Sequence, residues 1–155
     1  MDDKRHARAE LQRGIAMVEM AIALPLLLLL LLATAEFGRI LSQYNALTKS
    51  TRDACRYAAS NAAIGTTRLV NITPQLQTAA SNLLVTGNVN GTGNPILPGL
   101  ATGSVALSDA GNGYISVSVS YTYQPMIGSA LPTFGLGGSI SLALPLSAAV
   151  TMRAL

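Results

Sequence analysis

Glu19 occupies an unusual chemical position in this sequence. It lies near the start of an apolar run, residues 15–35, which reads IAMVEMAIALPLLLLLLLATA. An ionisable side chain at the centre of a bilayer costs about 2.5–3.5 kcal/mol on insertion scales, and less near the interface. Two explanations stay open: the carboxylate pairs with a cation of a partner, or it reaches back to the membrane surface.

Few other side chains suggest catalysis or metal binding. The chain has one histidine, His6, and one cysteine, Cys55, which argues against histidine-based catalysis, histidine-ligated zinc and an internal disulfide framework. Beyond the apolar run the acids are Glu36, Asp53 and Asp109, and the sequence contains no nucleophile, phosphate-loop or dinucleotide motif. We therefore expect no enzyme activity, no cofactor and no metal site.

The composition points to a membrane segment or an uncharged assembly surface. Hydrophobic residues make up 50% of the 155 residues, and charged residues only 11%, whereas a soluble domain carries about 25% charged residues. The net charge of +3 comes without a basic cluster interleaved with aromatic residues, so nucleic acid is not an expected partner. After Arg68 the only charged residues are Asp109 and Arg153.

The apolar run has the length of a membrane-spanning helix. As a helix it would extend roughly 31 Å, about one hydrocarbon thickness. Four Lys or Arg residues precede it within residues 1–14, and only Arg39 follows within ten residues. The positive-inside rule then places the N-terminus in the cytoplasm and the C-terminal part outside. Pro25 removes one helical hydrogen bond and is expected to kink the helix.

Residues 13–19, RGIAMVE, followed by a long apolar helix, resemble the cleavage site of a type IV prepilin. The resemblance implies that a prepilin peptidase cuts between Gly14 and Ile15, so that Glu19 becomes the fifth mature residue. It also implies that the Glu19 carboxylate neutralises the new amine of an adjacent subunit. Four residues of helix bring the amine and the carboxylate within about 6 Å on one face.

A second set of residues makes the resemblance more specific. Glu36-Phe37-Gly38-Arg39 and residues 52–59, RDACRYAA, look like the TadE-like family, the minor pseudopilins of the tight-adherence (Flp) pilus; residues 121–126 and 151–153 are similar to it more weakly. The resemblance implies an inner-membrane protein with a periplasmic head that enters or helps assemble a pilus. Its implied partners are the prepilin peptidase, the major Flp pilin, a TadF-like pseudopilin, the inner-membrane Tad platform and membrane lipid.

Two alternatives remain at this point. Ala33-Thr34-Ala35 matches the end of a secretory signal peptide, and cleavage there would release a soluble binding module beginning at Glu36. The other alternative is a permanently anchored envelope protein unrelated to pili. Against the signal peptide, the apolar stretch is long and the helical pattern continues across residue 35.

The helical pattern extends through residues 36–64. Apolar and small residues recur at spacings of three and four and predict one inward-facing stripe: Phe37, Ile40, Leu41, Tyr44, Leu47, Thr51, Ala54, Cys55, Ala58 and Ala62. Cys55 on this stripe is interpreted as a small buried side chain, with an intermolecular disulfide as the alternative. A second helix is predicted over residues 74–86, with Thr73 as its cap and Gly87 as its stop.

Three antiparallel strands are predicted to cover the amphipathic helix, near residues 103–108, 114–123 and 139–152. The fold class is therefore α+β: a leader over residues 1–14, a membrane helix over 15–35 and a head over 36–155. The loop 124–138 contains Met126, Ile127, Leu131 and Phe134. These apolar residues either fill the core or form a surface for a neighbouring pilin or the paired pseudopilin.

Overall fold

The architecture is one long helix with a small α+β head packed along its C-terminal part. The structure, a computed structural model, describes residues 3–63, 69–126, 128–131, 133 and 137–155, with side chains described from residue 14 onward. The elements are α1 (Asp3–Asn61), α2 (Pro74–Thr86), a 3-10 turn (Thr102–Ser104), β1 (Val105–Gly111), β2 (Tyr114–Thr122), β3 (Ala130–Leu131), β4 (Ile140–Ser141) and β5 (Pro145–Arg153). The predicted fold class is confirmed.

Helix α1 is continuous over 59 residues, including Pro25. The leucine-rich segment before residue 36 favours a helix because leucine has high helix propensity. At the other end, the side-chain amide of Asn61 donates to the Tyr57 carbonyl at 2.8 Å, and Ala63 pairs with Val70. The helix ends at Asn61, three residues before the predicted boundary at 64.

Helix α2 has the predicted bounds and the predicted ends. The Thr73 hydroxyl accepts a hydrogen bond from the Leu76 amide at 3.2 Å, and Pro74 occupies the first turn. Gly87 has the left-handed φ of 74° and donates its amide to the Leu83 carbonyl at 2.9 Å. Both ends are thus set by local residues.

The three-stranded sheet has the order β1-β2-β5 and is antiparallel throughout. Strand β2 alternates as predicted, with Ile115, Val117, Val119 and Tyr121 buried. The turn between β1 and β2 contains Asn112 and Gly113, both at positive φ, preceded by an irregularity at Asp109–Gly111. Strands β1 and β2 therefore form a hairpin.

The predicted strand 139–152 is two strands in the structure. Strand β4 pairs with β3, whereas β5 pairs with β2 from Thr122–Pro145 to Tyr114–Arg153. Between them the Leu144 amide donates to the Leu142 carbonyl at 2.9 Å, and Pro145 has no amide hydrogen to donate. These local features interrupt the ladder. The first strand is also shifted, to 105–111 from the predicted 103–108.

The core lies between the inner face of the sheet and the two helices. Its fully buried members include Leu47, Thr51, Cys55, Leu84, Ile115 and Val117. Strand β2 runs antiparallel to α1. Leu155, which lies beside the start of β2, donates its amide to the Ala59 carbonyl of α1. Tyr123, which follows the end of β2, contacts Glu36 of α1. The head thus has one end near residue 59 of the helix and another near residue 36.

Candidate functional site

The candidate cleavage segment lies in α1, where Gly14, Ile15 and Glu19 are all exposed. A methyl group placed on Gly14 would meet no atom within 4 Å. A glycine inside a helix costs roughly 0.5–1 kcal/mol relative to alanine. Within the described residues, packing gives no reason for a glycine at this position.

Only one helix in the described part of the chain is long and apolar enough to cross a membrane. This helix is α1; the candidate span lies within Gly14–Asn61, and its most apolar window is not covered by the rest of the described chain. Ile15, Met17, Leu27 and Leu31 are each more than half exposed. The rest of the described chain does not cover these apolar side chains, which fits a membrane-anchored protein.

Glu36, the first residue after the apolar run, is 3% exposed and forms the contact between α1 and the end of the sheet. Its carboxylate accepts a hydrogen bond from the Tyr123 hydroxyl through Oε2. Through Oε1 it accepts a second bond, from the Met126 amide at 2.9 Å. A buried carboxylate is costly unless it is paired and hydrogen-bonded. Glu36 therefore joins the head to the end of the apolar segment, and we call this contact the Glu36 junction.

The electrostatics of the junction favour a neutral Tyr123. Burial of the phenol, the hydrogen bond to Glu36 and the negative charge of Glu36 together raise the pKa of Tyr123 to about 12. The positive charge of Arg39 acts in the opposite direction on the same group. Burial also raises the pKa of Tyr121, whose hydroxyl donates to the Pro98 carbonyl at 3.0 Å. Tyr123 consequently remains a hydrogen-bond donor to Glu36 at neutral pH.

The first turns of α1 beyond residue 35 differ from the predicted stripe. The buried residues there are Glu36 and Gln43, whereas Phe37, Leu41 and Tyr44 are 62%, 48% and 43% exposed. Gln43 Oε1 is buried and accepts no hydrogen bond within the described part of the chain. The predicted inward position of these three apolar residues is therefore wrong. From Leu47 onward the predicted stripe is buried.

Cys55 is fully buried, and its thiol donates to the Val150 carbonyl at 3.3 Å. Burial raises the pKa of the Cys55 thiol. A buried thiol with a raised pKa is a poor nucleophile. The prediction of a small core residue is confirmed, and the burial argues against an intermolecular disulfide in the folded head.

The loop 124–138 divides between the two roles that the sequence left open. Leu131 in β3 is 6% exposed and packs inward, whereas Met126 is 78% exposed. Ile127 and Phe134, the other two residues of the expected partner surface, lie outside the described residues. Leu131 thus has a core position and Met126 a surface position.

Among the described residues, no three histidine, cysteine, aspartate or glutamate side chains come together in a group that could hold a metal ion. The Glu36 carboxylate accepts hydrogen bonds from the Tyr123 hydroxyl and the Met126 amide.

One part of the chain matches a known protein family. Residues 14–56 match the family described as TadE-like protein. This segment is similar to that family. No curated protein and no solved structure matches the chain. The TadE-like match covers the exposed part of α1, the Glu36 junction residue and the first buried turns, and stops short of the sheet.

The Glu36 junction itself was not predicted from the sequence. Glu36 and Tyr123 were read as parts of the family resemblance, without a contact between them. The spacing of Glu36 and Leu47 along the helix nonetheless indicated that Glu36 faces inward. Eleven residues separate Glu36 from Leu47, about three turns, so both side chains lie on nearly the same face of α1.

Proposed function

We propose that this protein is a minor pseudopilin that acts as a structural or assembly component of a Tad/Flp pilus. Its proposed location is the bacterial inner membrane, with a cytoplasmic N-terminus and a periplasmic head, and it is then available for incorporation into the pilus. Its proposed partners are the prepilin peptidase, the major Flp pilin, a TadF-like pseudopilin and the inner-membrane Tad platform. The role is structural, and no catalytic residue is assigned.

The observation that carries this proposal is an exposed apolar stripe that continues beyond the membrane segment. Leu30, Phe37, Leu41 and Tyr44 are separated by seven, four and three residues and are each at least 43% exposed. Such spacing places them along one side of a helix. The TadE-like match covers the same part of the chain. A helix with this exposed apolar stripe can pack against neighbouring helices inside and just outside the membrane.

Gly14, Ile15 and Glu19 have a place in this proposal. Cleavage after Gly14 creates a new ammonium group at Ile15, and Glu19 is four residues further along the same exposed helix. In a bundle of low dielectric constant an unpaired charge is costly. Pairing of Glu19 with the amine of an adjacent subunit would therefore favour one axial register between subunits.

The stripe can be tested with a matched pair of leucines on α1. Leu41 is 48% exposed and Leu47 is fully buried. We expect Leu41→Ala, alone or with Phe37→Ala, to leave the unfolding free energy nearly unchanged and to reduce the amount of the protein recovered with pili. We expect Leu47→Ala to cost about 2–5 kcal/mol because it opens a cavity in the core. Normal recovery of the Phe37→Ala, Leu41→Ala protein with pili would contradict the proposed stripe.

Glu19 can be tested by removing its charge. Glu19→Ala removes an ionisable group from the apolar segment, so membrane insertion should be equal to or better than that of the unmodified chain. We expect pilus formation to fall nevertheless, because the neighbouring amine would lose its partner. Normal piliation with Glu19→Ala would show that the carboxylate only reaches the membrane surface.

A further inference from the structure

The end of the head nearest the apolar segment is formed by the described residues of the segment 123–144, namely 123–126, 128–131, 133 and 137–144. Main-chain hydrogen bonds hold its described parts together: the Tyr123 amide donates to the Leu144 carbonyl at 2.9 Å, and the Leu142 amide donates to the Ser129 carbonyl at 3.0 Å. Strands β3 and β4 pair within it. We call this part of the molecule the proximal loop. It is a hydrogen-bonded unit that lies against α1.

The height of the proximal loop relative to the apolar segment follows from the Glu36 junction. The Met126 amide lies 2.9 Å from the Glu36 carboxylate, and Glu36 is the first residue after the apolar run. If residues 15–35 fill the hydrocarbon core, Glu36 lies at the boundary between hydrocarbon and headgroups. The backbone of Met126 is then held close to the same depth.

The proximal loop exposes apolar side chains and carries no charge. Met126, Ile140 and Leu144 are 78%, 57% and 44% exposed. No charged residue occurs in the sequence between Asp109 and Arg153. In contrast, Arg153 and Asp109 lie at the other end of the sheet, beside Tyr114 and Ile115. The loop and sheet therefore have an uncharged apolar end near the apolar segment, where the nearby charges are Glu36 and Arg39 of α1, and a charged end far from it.

We propose that the proximal loop rests on the lipid bilayer that α1 crosses, with the Met126 side chain inserted at the boundary between headgroups and acyl chains. The inference rests on the membrane-anchor part of the proposed function. A lipid surface is favoured over a protein partner because the hydrogen bond between the Met126 amide and Glu36 holds exposed Met126 beside the residue at which the apolar segment ends. Methionine is flexible and unbranched, which suits it to the irregular packing of acyl chains. The contact would restrain the orientation of the head relative to the membrane.

The chain contains no tryptophan, so a single introduced tryptophan reports on its own surroundings. We would place it at Met126, at Tyr114 on the far end of the head, and at Leu28 within the apolar segment, each in the full chain in lipid nanodiscs. Nanodiscs with brominated acyl chains quench tryptophan that touches them. We expect the emission of the Met126→Trp protein to be shifted to the blue and strongly reduced by brominated lipid, and that of the Tyr114→Trp protein to be unaffected. Ile140→Trp repeats the measurement at a second exposed position of the proximal loop, in case one variant does not fold.

Three other results would overturn the inference. If Leu28→Trp is quenched and neither Met126→Trp nor Ile140→Trp is, the anchor stands and the loop does not touch lipid. If the loop tryptophans are protected only when a second copy or a pilin shares the nanodisc, the loop docks on protein. If Leu28→Trp itself is not quenched, the membrane anchor fails together with the inference.

Discussion

The contact between Glu36 and Tyr123 links the two parts of the molecule that the sequence keeps far apart. A carboxylate that is 3% exposed loses most of its hydration and requires hydrogen-bond donors in exchange. The Tyr123 hydroxyl and the Met126 amide supply them, and the charge of Arg39 acts on the same cluster. Glu36 thus stabilises the packing of the proximal loop on α1.

Removal of the Glu36 carboxylate should destabilise the head. We expect Glu36→Ala to lower the unfolding free energy of the full chain in detergent by about 2–3 kcal/mol, because two hydrogen bonds to a buried charged group are lost. Glu36→Gln keeps an acceptor oxygen and should cost less. Asp53→Ala serves as the control because Asp53 lies on the exposed face of the same helix. Equal urea midpoints for Glu36→Ala and Asp53→Ala would contradict the structural role of Glu36.

Stability at alkaline pH should depend on Tyr123. The pKa of this phenol is raised from 10.0 to about 12 in the folded chain. Between these values the unfolded chain loses a proton that the folded chain keeps, so rising pH favours unfolding. The contribution is fully present below pH 10 and is lost as the pH approaches 12; its size is on the order of 2 kcal/mol.

The matching experiment compares Tyr123→Phe with Tyr114→Phe, a tyrosine at the far end of the sheet that is 43% exposed. Cys55 and Tyr121 also have raised pKa values, so some alkaline loss of stability should persist in every variant. We expect the slope of unfolding free energy against pH to flatten in Tyr123→Phe and to remain in Tyr114→Phe. Identical slopes in the two variants would exclude Tyr123 as a source of the pH dependence.

Which residues of α1 are buried could be predicted from the sequence only in part. The stripe from Leu47 to Ala62 was predicted correctly because small and apolar residues there coincide with the packed face. Nearer the apolar segment, hydrophobicity led to the prediction that Phe37, Leu41 and Tyr44 face inward, but they are exposed. The buried residues there are Glu36 and Gln43, which are polar and therefore were not part of the predicted stripe. Burial of Glu36 depends on a donor 87 positions away in the sequence, and no local pattern contains that information.

At the scale of elements, local signals predicted helix ends and turns better than strand lengths. The Thr73 cap, Pro74 and Gly87 define α2 at the residues that the sequence indicated. The interruption before Pro145 was harder to predict, because residues 139–152 alternate well enough for a single strand. At the break the Leu144 amide donates to the Leu142 carbonyl, and the next residue, Pro145, has no amide hydrogen to donate.

Two glycines should respond in opposite ways to alanine. Gly38 lies inside α1, and a methyl group there would meet no atom within 4 Å, so Gly38→Ala should stabilise the chain by about 0.5–1 kcal/mol. Gly87 caps α2 at a φ of 74°, where a side chain is strained, so Gly87→Ala should cost about 1–2 kcal/mol. Thermal unfolding of both variants in the same detergent tests the pair. A loss of stability in Gly38→Ala would show that this helical position is more constrained than the structure indicates.

At the scale of the whole molecule, the apolar and charged parts follow one another in order along α1. The exposed apolar segment comes first, the uncharged proximal loop is fastened beside its end by Glu36, and Asp109 and Arg153 lie at the far end of the sheet. The TadE-like match covers only the helical part of this arrangement. The helix therefore carries the similarity to that family.

The most direct test of the pseudopilin proposal is the intact mass of the protein recovered from the membrane fraction of cells that contain a Tad system. We expect a mature chain that begins at Ile15, and a precursor that persists when Gly14 is replaced by a bulky residue. Gly14→Ala should be processed at least in part, since the side chain remains small. A soluble protein that begins at Glu36, or an uncut chain in piliated cells, would contradict the account.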